Sequence, residues 1–325
     1  MTRYELLTQW SKKFFDDQFI IEPASNDASF RHYYRIKIGK KSLIAMDAPP
    51  DKEDISSFLA IAQKLRQDDI RVPNVYESNS KLGFILMEDF GKTTYGDALS
   101  LKNSDELYKN ALSTLETIQK NCHYKKIPSY TSGLLLKEMS LFEEWYLNKY
   151  KKIILNSNEK NDLSKIFNII IKSNINQQQC FVHRDFHCRN LMLIDGEVGP
   201  GIIDFQDAVN GPIIYDLVSL LKDAYFELEE DFILDMVIRY WESMINAKLI
   251  TKNEFADFFK SFEWMGIQRH LKILGIFSRL YIRDNKDQYL NNLPLVEKYL
   301  KDTTQRYQEL FPLRDILNKA IPNEF

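Results

Sequence analysis

The fold of this chain is decided by residues 181–194, FVHRDFHCRNLMLI, and by residues 201–207, GIIDFQD, which follow after a short connection. The first stretch ends in an apolar run and an Asp-Gly pair, which is typical of a hairpin turn. The second stretch starts with another apolar run and leads into Asp204. A hairpin of this kind predicts that Asn190 and Asp204 meet at its open end, with Asp185 in the loop just before it.

The residue types at that open end are those of a phosphoryl-transfer site. Hard oxygen ligands such as carboxylates and amides suit Mg²⁺, and one carboxylate remains to accept a proton. In protein kinases a base Asp is followed five residues later by a metal-binding Asn and then by a second metal-binding Asp. Asp185, Asn190 and Asp204 keep that order and the first spacing. The pattern predicts Asp185 as catalytic base with Asn190 and Asp204 as metal ligands, and the alternative is a buried polar turn.

This stretch resembles the aminoglycoside/choline phosphotransferase branch of the kinase-like fold. Its HRDFHxRNLM and IDFQDA patterns are similar to those of bacterial anomeric sugar kinases acting on N-acetylmuramate and N-acetylglucosamine. Residues 26–35, 46–50 and 266–277 carry the same likeness, which extends from Asn26 to Leu295. The resemblance implies ATP and Mg²⁺ as cofactors, a small-molecule sugar acceptor and a sugar 1-phosphate product in cell-wall recycling.

The resemblance also implies an α+β fold, bilobal and protein-kinase-like, with the nucleotide in the cleft between the lobes. Strand and turn patterns predict a small antiparallel sheet in an N-terminal nucleotide-binding lobe, residues 1–90. Helical patterns dominate residues 91–325, which we expect to form the catalytic and substrate lobe.

Two segments of the N-terminal lobe are candidates for nucleotide binding. The loop before the first hairpin contains no glycine, so its polar side chains and amides would have to surround the phosphates. At the end of a later strand, backbone groups around Glu88 and Phe90 would pair with adenine, as kinase hinges do; the alternatives are an ordinary polar loop and a plain strand end. The loop candidates are Ser25, Asn26, Ser29, Phe30 and Arg31.

One expected part of a kinase is missing from the sequence. The third strand of a kinase normally carries a Lys that pairs the nucleotide phosphates with a helix Glu. Here residues 43–46, LIAM, contain none. Arg31, Arg35 and Lys41 are possible replacements among which the sequence does not choose, and Glu53 is an equally open candidate for the acidic partner.

The C-terminal part contains the candidates for acceptor binding and for support of the loop. Glu138 stands on a helix that is otherwise apolar along one face, and a Gln-Arg-His triplet interrupts the apolar helix around residue 270. A sugar hydroxyl or lactyl carboxylate would suit such groups, although a histidine satisfied by packing is the alternative for the third of them. By resemblance Asp216 holds loop amides, and His183 is assigned to the same structural support. The triplet is Gln268, Arg269 and His270.

Composition places the chain among ordinary globular proteins. It has 325 residues, 44% hydrophobic and 27% charged, which is enough for two compact units. The net charge of −3 predicts no nucleic-acid partner, and no apolar run reaches membrane-spanning length. Three cysteines without metal-ligand spacing, and an N-terminus that reads as a polar amphipathic helix instead of a targeting segment, predict the cytoplasm. The oligomeric state stays open.

Three rival functions fit parts of the same sequence. Another small-molecule kinase on this fold, such as an aminoglycoside or choline kinase, would share the loop. A non-catalytic pseudokinase binding module would explain the missing lysine, but not the intact Asp185, Asn190 and Asp204. His183 and His187 have a zinc-like spacing without a third ligand, which is weak support for a metallohydrolase.

Overall fold

The computed structural model describes residues 1–15, 18–25, 30–100, 102–124, 126–251 and 254–321. The chain divides into two compact units. Unit 1 consists of Met1–Ala98 and Asn190–Asp207, and unit 2 of Leu99–Arg189 and Ala208–Phe325.

Helices and strands follow the order that the sequence patterns predict, with strands first and helices dominating later. The strands are β1 (Ile20–Ser25), β2 (His32–Ile38), β3 (Lys41–Asp47), β4 (Val75–Asn79), β5 (Phe84–Glu88), β6 (Gln179–Val182), β7 (Leu191–Met192), β8 (Gly201–Ile202) and β9 (Val209–Pro212). The helices are α1 (Arg3–Ser11), α2 (Ser56–Gln67), α3 (Tyr95–Ala98), α4 (Ser104–Asn121), α5 (Ser132–Leu141), α6 (Ser157–Ile175), α7 (Tyr215–Leu221), α8 (Glu230–Asn246), α9 (Phe255–Asp284), α10 (Leu293–Arg306) and α11 (Phe311–Ala320). A π-helical segment, Phe142–Tyr150, continues α5, and 3₁₀ turns form at Asp287–Asn292 and Gln308–Leu310.

Unit 1 is built on an antiparallel sheet of five strands in the order β1-β2-β3-β5-β4. The predicted turn between β2 and β3 is present, and Gly39 adopts a φ of 57° there, a conformation that glycine permits without a Cβ clash. Helix α1 begins with a capping box between Thr2 and Glu5 and packs its apolar side on the sheet. The resulting core joins the helix and three strands through Leu7, Trp10, Ile36, Ala45, Phe84 and Leu86.

The predicted hairpin that follows the loop of residues 183–190 forms within unit 1. Strands β7 and β8 pair antiparallel, with Leu191 opposite Ile202. Two backbone hydrogen bonds attach this hairpin to the rest of the unit: Ile202 N–H to the Arg71 carbonyl, 2.8 Å, and Leu193 N–H to the Thr93 carbonyl, 2.9 Å. These bonds explain why the division of the chain differs from the boundary after residue 90 that the sequence suggests. The first unit extends to residue 98 and includes residues 190–207.

Unit 2 is organised around the long helix α9. It packs against α5, α6, α7 and α10, and most of its residues from Phe258 to Leu280 are buried. Strands β6 and β9, which precede and follow residues 183–208 in the chain, pair antiparallel with Cys180 opposite Gly211. Among the helices of the described ranges, none combines the length and the apolarity that crossing a bilayer requires.

Helix α9 approaches α5 closely at Gly275. A Cβ added there would lie 2.5 Å from the carbonyl carbon of Leu141 in α5, so backbone would have to move to admit it. At Gly266, on the same helix, an added Cβ would meet its nearest neighbour, the His270 ring, at an ordinary 3.7 Å.

We therefore expect opposite effects from the same substitution on one helix. Gly275→Ala should lower the free energy of unfolding by at least about 1 kcal/mol, because overpacking against backbone exceeds the gain in helix propensity. Gly266→Ala should be neutral or up to about 1 kcal/mol stabilising. Urea unfolding of both variants tests this, and equal stabilisation by both would contradict the close approach.

Candidate active site

Asn190 and Asp204 meet at the open end of the hairpin, as the sequence predicts. The Ile203 N–H donates to the Asn190 carbonyl at 3.1 Å, which closes the hairpin at this end. The side-chain Nδ2 of Asn190 lies 3.4 Å from Oδ2 of Asp204, and Nε2 of Gln206 donates to Oδ1 of the same carboxylate at 2.6 Å. The carboxylate is therefore fixed from two sides within unit 1.

The backbone at Asp204 is left-handed, with a φ of 64°. A non-glycine residue in this region costs roughly 1 kcal/mol or more and persists only where its surroundings enforce it. The next residue supplies that enforcement, because the Phe205 ring is fully buried and packs on Phe58 of α2 at a centroid distance of 4.8 Å. Burial of Phe205 thereby directs the Asp204 carboxylate towards Asn190.

The donor set of this pair fits Mg²⁺. Carboxylate and amide oxygens are hard ligands, and the orientation of an Asn amide is assigned from its hydrogen bonds, so a half-turn presents Oδ1 in place of Nδ2. Within the part of the chain that the structure describes, no cluster of three or more His, Cys, Asp and Glu residues could hold a metal ion by itself. An ion at Asn190 and Asp204 would therefore take its other ligands from water and substrate phosphates, as Mg²⁺ commonly does.

The three cationic residues that could replace the missing lysine have different partners in the structure. Arg31 Nη2 forms an ion pair with Glu53 Oε2 at 2.8 Å, with 12% and 17% of the two side chains exposed. Burial lowers the pKa of Arg31, but Tyr33, Glu53 and Asp207 outweigh it and the net pKa is raised. Arg35 is instead held by Asp89 and by the Gly91 carbonyl, and Lys41 is an exposed residue at the start of β3.

The two candidate residues for adenine pairing have different surroundings. The Glu88 N–H donates to the Asn74 carbonyl at 2.8 Å, and the Glu88 carboxylate pairs with Arg71 at 2.7 Å. The Glu88 N–H is thus used within unit 1, and the pairing of backbone groups around Glu88 and Phe90 with adenine stays a prediction. Phe90 is buried under the Arg71 guanidinium, 4.6 Å from its ring centroid.

The phosphate-loop candidates are only partly described. Asn26 and Ser29 lie outside the described residues, and of Ser25 only the backbone, in β1, is described. Phe30 is 60% exposed.

Asp185 lies in unit 2 with 41% of its side chain exposed. Burial raises the pKa of its carboxyl, but Lys272, Arg269, His187 and Arg184 outweigh this effect and lower the pKa well below its usual range. The carboxylate is therefore charged at neutral pH, the form that a proton acceptor requires.

Asp216 supports the loop that carries Asp185. Its carboxylate accepts the backbone N–H groups of His183, at 2.6 Å, and of Arg184, at 3.0 Å. Burial raises the pKa of Asp216 to about 7, although the two amides and Arg269 favour its charged form. His183 Nδ1 in turn accepts the Asp185 N–H at 3.3 Å. Both residues thus contact loop backbone, as expected for structural support.

Glu138 is the centre of a buried polar network in unit 2. Its Oε1 lies 2.6 Å from Arg184 Nη2 and 3.3 Å from Lys272 Nζ, and its Oε2 accepts Gln268 Nε2 at 3.0 Å and the Tyr130 hydroxyl. Burial raises the pKa of Glu138, and the cations Lys272 and Arg184 lower it below the usual value. The carboxylate is 8% exposed, and both of its oxygens already accept hydrogen bonds. This favours a role in supporting the loop over direct contact with the sugar substrate.

The Gln-Arg-His triplet is divided between two faces of α9. At 100° per residue, Gln268, Arg269 and Lys272 lie within one sector and His270 lies outside it. His270 stacks on Tyr299, and its Nε2 contacts the Lys222 carbonyl at 3.0 Å. Burial lowers the pKa of His270 to about 3. His270 is therefore a buried packing residue, which is the alternative that the sequence left open to a contact with the sugar substrate.

Sequence reasoning missed four members of the network. Lys272 follows Gln268 at helical spacing on an apolar helix, and that repeat was the available signal. The other three could not be assigned, because their meeting depends on how four separate segments pack. They are Tyr130, Arg184 and Tyr215.

Comparison with known proteins agrees with this geometry. The model of the phosphotransferase enzyme family matches residues 20–248. This chain belongs to that family. It is 39% identical over 330 residues to an N-acetylmuramate/N-acetylglucosamine kinase of Neisseria meningitidis serogroup B, covering 100% of this chain and 98% of that protein. A kinase of the same name from Pseudomonas aeruginosa is 36% identical, with 97% and 96% covered.

A solved structure confirms the kinase-like fold. The choline kinase LicA from Streptococcus pneumoniae superposes with a TM-score of 0.63 at 12% identity, covering 92% of this chain and 99% of that one. Membership of the phosphotransferase enzyme family and the full-length kinase relatives make this chain an ATP-dependent kinase.

If Asp204 is a metal ligand, its charge should set the magnesium requirement. Asp204→Asn keeps the shape but removes the negative charge, so half-maximal ADP formation should need at least about tenfold more Mg²⁺. Asp195→Asn, in the exposed turn of the same hairpin, is the matched control. An unchanged magnesium titration in Asp204→Asn would contradict ligation there.

Proposed function

We propose that this chain transfers the γ-phosphoryl group of ATP to the anomeric hydroxyl of N-acetylmuramate or N-acetylglucosamine, giving the sugar 1-phosphate. The observation that carries the proposal is its identity of 39% over full length to a kinase named for both sugars. Asp185, Asn190 and Asp204 are all present in the order that phosphoryl transfer needs.

Asp185 is the proposed base. The nearby cations keep its carboxylate charged, and its exposed part is open to a hydroxyl. It would accept a hydrogen bond from the anomeric hydroxyl, orient its oxygen and take its proton as the bond to phosphorus forms. Glu138, Gln268 and Arg269 would support this position from behind, because all three are buried.

Asn190 and Asp204 are proposed to hold Mg²⁺ through one amide and one carboxylate oxygen. When bound, the ion supplies positive charge that offsets charge on the phosphate oxygens. Asn190 follows Asp185 by five positions, so the chain allows at most about 17 Å between their Cα atoms.

Arg31 is the proposed replacement for the missing lysine, with Glu53 as its acidic partner. Of the three candidates it is the one paired with Glu53, and the charge of Asp207, three residues after Asp204, acts on it. An Arg beside a Glu can present further N–H donors to phosphate, as guanidinium groups do.

We also propose that the enzyme works in the cytoplasm. Cys122, Cys180 and Cys188 form no disulfide in the structure, which suits a reducing compartment where ATP is available.

An acceptor panel tests the proposed reaction. With ATP and Mg²⁺, we expect ADP formation with N-acetylmuramate and N-acetylglucosamine, and a matching loss of reducing ends because O1 becomes blocked. The methyl glycoside of N-acetylglucosamine, whose O1 is already blocked, is the matched control and should give no ADP. Turnover of choline or an aminoglycoside without turnover of the sugars would overturn the assignment, and phosphorylated sugar that keeps its reducing end would move the reaction to another hydroxyl.

The same assay tests the base. Asp185→Ala should lower turnover at least about a hundredfold, as loss of a positioned general base does. Equal activity in variant and parent would remove Asp185 from that role.

The replacement for the lysine can be tested through ATP. Arg31→Ala should reduce kcat/KM for ATP about 10- to 100-fold, the range expected for one hydrogen bond to a charged group. Arg31→Lys should retain part of the parent kcat/KM for ATP. Lys41→Ala, on the neighbouring strand, is the control and should leave kcat/KM unchanged. A loss in Lys41→Ala that exceeds the loss in Arg31→Ala would reassign the role.

A further inference from the structure

The residue before the catalytic base has an unusual backbone. Arg184 has a φ of 77°, in the left-handed region that non-glycine residues rarely adopt. Such a conformation costs of order 1 kcal/mol or more and needs surroundings that enforce it. Because Arg184 immediately precedes Asp185, its backbone angles set the direction of the Asp185 side chain.

Three groups hold Arg184, and each binds a different part of it. Asp216 accepts its N–H at 3.0 Å, Glu138 accepts its guanidinium at 2.6 Å, and Arg269 donates to its carbonyl at 2.7 Å. The third contact fixes the peptide that joins Arg184 to Asp185. Arg269 Nη1 also lies 3.9 Å from Oδ1 of Asp185.

Arg269 is itself fixed by its neighbours on α9 and α7. It is 3% exposed, and its Nη1 lies 3.3 Å from the Tyr215 hydroxyl. Lys272, one turn later, donates to the same hydroxyl at 3.1 Å and reaches Glu138 at 3.3 Å. A buried guanidinium placed in this way has little surface left for an acceptor, but it contacts the catalytic loop directly.

We propose that Arg269 is a positioning residue for Asp185: its hydrogen bond to the Arg184 carbonyl holds the left-handed loop that aims the base. The role rests on the proposed function for its catalytic consequence. It differs from the acceptor contact that the sequence suggests for Arg269, because it acts through the loop backbone and not on the sugar.

Arg269→Lys and Arg269→Met separate the two roles. Met fills the space without a donor, and Lys keeps one charge and can reach one acceptor. We expect kcat to fall about 10- to 100-fold in Arg269→Met, since a base displaced by about 1 Å costs that much. The KM for the acceptor should stay within about twofold, and Arg269→Lys should recover part of kcat. Arg283→Gln, at the exposed end of the same helix, is the control and should match the parent.

Hydrogen exchange supplies a readout that needs no acceptor. Amides of residues 183–187 should exchange at least about tenfold faster in Arg269→Met than in the parent, because the Arg184 peptide is no longer held. This result is expected whichever hydroxyl the enzyme phosphorylates, so failure of the acceptor assignment would leave it standing. Unchanged exchange, or a raised KM at unchanged kcat, would overturn the positioning role. If Arg269→Met does not fold, Arg269→Lys decides by itself. Faster exchange together with a lower kcat would support the positioning role, and parent values of both would overturn it.

Discussion

The burial of opposite charges against the loop that carries Asp185 is the constraint on which unit 2 depends. Glu138 lies between Arg184 and Lys272 with almost no exposure, and removal of one partner from such a group leaves an uncompensated buried charge. Apolar residues could fill the same space at lower electrostatic cost. The network is therefore better explained by what it holds, a strained loop that ends in Asp185, than by the stability it adds.

Unit 1 also holds a site segment in place by packing, but there the contacts are mainly apolar. The hairpin β7–β8 is only two residue pairs long and could not persist alone. Backbone bonds to Arg71 and Thr93 attach it, and the buried Phe205 anchors the chain directly after Asp204. In unit 2 the proposed base Asp185 follows a left-handed residue, and in unit 1 the proposed metal ligand Asp204 is itself left-handed.

The proposed replacement of the strand lysine by Arg31 would change where the positive charge is anchored. Arg31 lies just before β2, and its partner Glu53 precedes α2, the helix whose Phe58 packs on Phe205. The cation candidate and the metal candidate are therefore joined through one helix. If Arg31 has the role proposed for it, its guanidinium could hydrogen-bond phosphate while paired with Glu53, because the group carries five N–H donors.

The sequence by itself determined the local features: the hairpin, the spacing of Asp185, Asn190 and Asp204, the strand-rich beginning and the helical remainder. Turn dipeptides and periodicity encode these features within a few residues, so they can be read without knowing the fold. Only the tertiary structure decided that residues 190–207 pack with the first unit, that Arg31 and not Arg35 pairs with Glu53, and that Arg269 faces the loop while His270 does not. Those outcomes depend on contacts between segments distant in the chain, and such contacts are selected by packing and charge compensation, not by neighbouring residues.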